Sequence, residues 1–100
     1  MFLHVVMLRL SAAADAAFEA RLQHYCQRIK AECAGVVGYA FEPTIADRSD
    51  GLGHAVIGAF ADSAAHDRYQ ASPVHQEMKA YMAGFIERLV VCDSEVPAFA

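Results

Sequence analysis

Four runs of β-type residues, two stretches with apolar residues at helical spacing, and their ordered succession along 100 residues predict an α+β fold. The order is β-α-β-β-α-β, the ferredoxin-like arrangement in which a four-stranded antiparallel sheet carries its helices on one face. One domain over residues 1–100 follows from the length. Hydrophobic residues make up 56% of the chain, enough to build a core without metals or disulfides.

The first strand is "FLHVVMLRL", residues 2–10, with His4, Val6 and Leu8 on one side and Leu3, Val5 and Met7 on the other. From about Ala14 to Cys33, the residues Phe18, Leu22, Cys26, Ile29 and Cys33 recur at helical spacing, and Gly35 stops the helix. "VVGYAFE" (36–42) reads as the second strand, "PTIADRSDGLG" (43–53) as a polar loop and "HAVIGAF" (54–60) as the third strand. "DSAAHDRYQA" (62–71) reads as a short helix capped by Asp62 or Ser63. Ser72 caps and Pro73 opens a further helix whose stripe is Val74, Met78, Tyr81, Phe85 and Leu89. "LVVCDSEV" (89–96) closes the sheet, and the tail "PAFA" is expected to be loose.

Helices can cover only one face of such a sheet. The other face, with Leu3, Val5, Met7, Ala55, Ile57 and Ala59, is an apolar patch that a second copy of the chain would cover, which predicts a two-fold homodimer through the sheet face. The net charge of −4 and eight scattered Lys and Arg leave no basic face for nucleic acid or anionic lipid. No apolar run is long enough to span a membrane, and the first ten residues lack the cationic leader of a signal peptide. Cys26 and Cys33 lie two turns apart, too far to bridge, so buried thiols in a reducing cytoplasm are expected. His24 and His66 fall among charged neighbours and are expected to face solvent.

The segments "HVVMLRL", "GHAVIGAFADSAAHDRYQASPVHQ" and "LVVCDSEV" resemble the stress-responsive A/B barrel domain (Dabb) family across nearly the whole chain. Its ordered His, Tyr and Pro-x-His set falls on His54, Tyr69, Pro73 and His75, while Gly53 stands where the family usually has threonine. The resemblance implies a dimeric α+β barrel. One branch, plant polyketide cyclases such as olivetolic acid cyclase, is similar in using the Tyr and the His after Pro for a cofactor-free aldol closure. Those roles would fall on Tyr69 and His75, with His4, His54 and Asp93 at the remaining polar positions.

The residues themselves point to the same chemistry. With Ser72 as cap, His75 sits at the positive end of a helix, a field that favours a neutral imidazole able to accept a proton. Tyr69 can donate to a substrate carbonyl and stabilise an enolate, and Asp93 can orient the His75 ring. His4 and His54 share one side of the sheet, which predicts a polar cluster with Tyr69 and His75 that would bind a small apolar or carbonyl-containing molecule. The expected activity is a cofactor-free lyase, cyclase or isomerase. No metal is expected, because neither a paired-His helix nor a Cys-x-x-Cys occurs. The alternatives are a non-catalytic, stress-linked small-molecule-binding or structural dimer, and a cofactor-independent monooxygenase. The absence of Trp and Asn weighs against the last.

Overall fold

Seven elements alternate in the order β1 (Phe2–Leu10), α1 (Ala16–Glu32), β2 (Val36–Pro43), β3 (His54–Phe60), α2 (Ser63–Ala71), α3 (Pro73–Met82) and β4 (Ile86–Glu95). The computed structural model describes residues 1–97 and 99, so the expectation of a loose tail at Ala98 and Ala100 lies outside the described residues. The sheet runs β2-β3-β1-β4 with every neighbour antiparallel. This is the ferredoxin-like architecture, with the second helical position split in two.

Register explains which side chains meet. His4 pairs with Gly58 and Asp93, and Tyr39 with Gly58, so Tyr39, Gly58, His4 and Asp93 form one row across the helix-facing side. The next row on that side is Phe41, Val56, Val6 and Val91. Rows between these point to the open face, including Ala40, Ile57, Val5 and Cys92. The period of two in strands dictates this alternation.

Asp15 caps α1 by accepting from the Phe18 amide, and Asp62 caps α2 by accepting from the Ala65 amide at 2.8 Å. Phe18, Leu22, Tyr25, Cys26 and Ile29 bury the inner stripe of α1. Cys26 and Cys33 are buried free thiols, whereas Cys92 is exposed on the open face. Burial pushes the Cys26 thiol up to about 11, so it packs as a small hydrophobe. Gly35 has φ +85°, and a Cβ there would stand 2.6 Å from the Ala65 Cβ; only glycine permits both the turn and the close approach of α2.

At Ser72 the backbone leaves the helical region, with φ −66° and ψ 147°. A residue preceding proline is disfavoured in the α conformation, and Pro73 then starts α3 at the position where its missing N–H costs nothing. The α3 stripe is shorter than its spacing predicts. Val74, Met78 and Met82 are buried, Tyr81 and Phe85 pack at the margin, and the helix stops before Gly84. Leu89 is a strand residue paired with Leu8, and β4 begins at Ile86, three residues earlier than expected. The segment "IERLV" fits both periods, and the ladder with β1 decides in favour of the strand.

Candidate functional site

The helices do not cover the sheet evenly. α1 lies on β2 and α2 on β3, so the helix-facing residues of β4 stay half open, with Leu89 and Val91 each 47% exposed. Between α3 and the β1–β4 side is a cleft of about 390 Å³. Val6, Leu8 and Val56 line it from the sheet, Met78 and Met82 from α3, and Leu89 and Val91 from β4. His4, Tyr39, Tyr69 and His75 bring polar atoms to it. An apolar enclosure with a few convergent polar groups is the usual form of a ligand site.

Ser72 builds the polar end. Its hydroxyl donates to the Tyr69 carbonyl at 2.7 Å and accepts from the His75 amide at 3.2 Å, so one side chain closes α2 and opens α3. Tyr69, on the last turn of α2, and His75, on the first turn of α3, are thereby set side by side with ring centroids 4.4 Å apart. The Tyr69 hydroxyl meets the Tyr39 hydroxyl at 2.7 Å, and Tyr39 also reaches the Met78 sulfur at 3.9 Å. Both phenols are buried, and desolvation holds their ionisation well above the usual range. They are phenols, available to donate.

His75 Nδ1 lies 3.1 Å from the Gln70 carbonyl oxygen, which can only accept. Nδ1 therefore carries the proton, and Nε2 is left with the lone pair of the neutral ring. The ring's ionisation lies below its ordinary value, first because burial penalises the imidazolium, with Lys79 adding to the effect and the Gln70 carbonyl opposing it. Desolvation is the main cause of this shift toward the neutral ring, where the sequence suggested the helix field.

Three residues take positions other than those expected. Asp93 does not orient His75: it accepts from His4 Nδ1 at 2.5 Å, because the ladder places it directly opposite His4. The orienting group for His75 is the Gln70 backbone. His54 stands apart from the other polar groups. It pairs with Leu8, four residues along β1 from His4 and about 13 Å by strand rise, and its ring stacks on Phe41. It lines a separate concavity with Arg9, Ser11 and Phe18. His24 is exposed as expected, whereas His66 is buried, stacked on Phe2 at 4.4 Å and 4.7 Å from the His4 ring. The missed signal is its position three residues before Tyr69, which puts both on the inner face of α2.

The profile of the Stress responsive A/B Barrel Domain family matches residues 2–96. No curated protein gives a significant match. Among solved structures, the chain is similar to a Dabb family protein with a ferredoxin-like fold from Mesorhizobium loti, at 23% identity and TM-score 0.77, with 95% of each chain covered. It is similar to a dimeric ferredoxin-like protein of unknown function from Jannaschia sp. CCS1, at 21% identity and TM-score 0.83, covering 95% of this chain and 98% of that one. It is also similar to a hydroxynitrile lyase from Passiflora edulis, at 16% identity and TM-score 0.83, covering 99% of this chain and 95% of that one. At these identities the structural likenesses establish the fold.

The depressed ionisation of His75 has a stability consequence. Below its ordinary value of 6.5 the unfolded chain binds a proton that the folded chain resists, so stability is complete above about 6.5 and falls as pH drops through the folded midpoint. Melting temperatures between pH 7.5 and 5 should fall less steeply for His75→Asn than for the unmodified chain. Equal slopes would mean that His75 titrates normally.

Proposed function

The chain belongs to the stress responsive A/B barrel domain family, and on that premise we propose that its cleft binds a small apolar molecule bearing a carbonyl group and that His75 acts on it as general base. One observation carries this reading: a neutral His75, its Nδ1 committed to the Gln70 carbonyl, packs against the Tyr69 phenol at the polar end of an apolar cleft.

In the proposed reaction Nε2 removes a proton from the carbon beside the carbonyl. The bonding pair moves toward the carbonyl oxygen, which becomes an enolate and accepts a hydrogen bond from Tyr69. With Tyr39 as the donor of the phenol pair, the Tyr69 proton is left for the substrate. The enolate then attacks a second carbonyl, expels a leaving group or is reprotonated, giving a cyclase, a lyase or an isomerase. The His75 imidazolium returns its proton in the last step, so no external acid is consumed. His4 offers a further polar contact along the cleft, and Asp93 acts through it as a positioning residue. Val6, Val56, Met78 and Met82 exclude water from the charge that develops.

A second copy of the chain completes the proposed assembly. The open face presents Ile57 at 47% and Val90 at 45% exposure beside Val5 and Cys92, an apolar surface suited to sheet-to-sheet packing, and the likeness to the dimeric Jannaschia protein supports a homodimer. Sedimentation should give twice the 10.9 kDa chain mass, and Ile57→Lys should give the single chain. An unmodified protein that sediments as a monomer at micromolar concentration would refute the arrangement.

The chemistry is tested with an aryl 1,3-diketone in deuterated water, following loss of the proton between the carbonyls by NMR. The protein should accelerate exchange, His75→Ala should lose roughly 10²–10⁴-fold of that acceleration, and Tyr69→Phe should lose a smaller part. Exchange no faster than in buffer, with the diketone still bound, would identify a non-catalytic binding protein instead.

A further inference from the structure

Three side chains that the proposed base chemistry does not require for proton transfer converge from separate elements: His4 of β1, His66 of α2 and Asp93 of β4. One ligand atom from each lies within 4.8 Å of the others. We infer that these residues form a binding site for a divalent transition-metal ion of the zinc type. The inference is independent of the reading given for His75.

The donor set is right for such an ion. Two imidazole nitrogens and one carboxylate oxygen suit zinc and its neighbours, and three protein ligands leave a fourth position for water or another ligand. Both histidines are only 5% exposed and their rings are confined by aromatic neighbours: His66 lies flat on Phe2, and both rings meet Phe60 at a steep angle. Asp93 is half-open at the sheet edge and gives the ion a route from solvent.

Geometry supplies the second argument. His4 Nδ1 donates to Asp93 Oδ1 across 2.5 Å, and a cation held between them takes the place of that proton, which moves to Nε2 of the neutral ring. His66 Nε2 stands 4.0 Å from the same carboxylate oxygen. Among the described residues, the hydrogen-bonding neighbour of that nitrogen is the Gln70 amide, which donates at 3.3 Å and so leaves Nε2 in the unprotonated form a metal requires. Ligand atoms around a tetrahedral zinc stand about 3.3 Å apart, given bonds of 2.0–2.1 Å. The separations of 2.5 Å, 4.0 Å and at most 4.8 Å each differ from that spacing by no more than about 1.5 Å, a range that small side-chain shifts span. No Lys or Arg forms an ion pair with Asp93 among the described residues to compete for it.

The site escapes motif reading because its ligands lie 62 and 27 residues apart in sequence, 66 − 4 and 93 − 66. Only the register of β1 with β4 and the inward turn of α2 assemble them.

The test is titration of the full chain with Zn²⁺ by calorimetry, and with Co²⁺ by the visible absorption that a tetrahedral site produces. One ion per chain should bind, raise the melting temperature and give the tetrahedral Co²⁺ spectrum. His66→Phe preserves the stacking and should weaken binding by more than the roughly 10–100-fold typical of losing an outer-shell partner. Should that variant not fold, Asp93→Asn reads the same loss without altering the buried rings. His75→Ala should bind as the unmodified chain does, which separates this site from the base chemistry. Absence of saturable binding, or equal affinity in whichever of the His66→Phe and Asp93→Asn variants folds, would overturn the inference.

Discussion

The hydroxyl of Ser72 holds together what the rest of the site depends on. Proline at 73 forces a break between α2 and α3, and a break ordinarily leaves carbonyls of one helix and amides of the next unpaired. Ser72 answers both with one oxygen, donating back to Tyr69 and accepting forward from His75. The two residues it touches through their backbones are the two whose rings pack at the cleft. A helix junction, which is a requirement of chain geometry, thus sets a phenol and an imidazole side by side, ring centroids 4.4 Å apart. The Gln70 carbonyl, freed by the same break, takes the His75 Nδ1 proton and sets the tautomer.

A second constraint acts on the sheet. Four strands present a wider surface than three short helices cover, and α1 and α2 spend their apolar stripes on β2 and β3. The shortfall falls on β1 and β4. It creates the cleft on one side of those strands, while the opposite face of the whole sheet is left for another surface to bury. Gly58 contributes from beneath: a Cβ there would stand 2.9 Å from the Phe60 ring and 3.2 Å from the Tyr39 ring, so its absence lets both aromatics close over the strand beside His4.

Much of this was legible in the sequence because local patterns and tertiary packing agree. The strand alternation of "FLHVVMLRL", the α1 stripe, the caps at Asp62 and Ser72 and the inward position of Tyr69 all follow from periodicity and capping chemistry. What was not legible depends on register. Asp93 lies in the strand that follows the His75 helix, which suggests a pairing of the two; the ladder instead aligns it with His4. His54 and His4 do share a face, but antiparallel pairing sends them toward opposite ends of β1. The charged neighbours Asp67 and Arg68 suggest a solvent-facing His66, but a helix turns each residue by its own angle and these neighbours in sequence face elsewhere. The start of β4 is ambiguous in sequence because the five residues 86–90 satisfy two periods at once.

The site therefore joins a rigid junction to an uncovered strand pair, and its polar atoms occupy one end of an otherwise apolar space. Burial keeps His75 neutral and keeps Tyr69 and Tyr39 protonated, a combination suited to moving a proton from carbon and holding the charge on oxygen. The most direct measurement is a crystal structure of the protein with an aryl 1,3-diketone bound. The account predicts the diketone oxygen within hydrogen-bonding reach of the Tyr69 hydroxyl and the carbon between the carbonyls about 3–3.5 Å from His75 Nε2. A diketone seated in the cleft with both oxygens turned away from Tyr69 and His75 would contradict it.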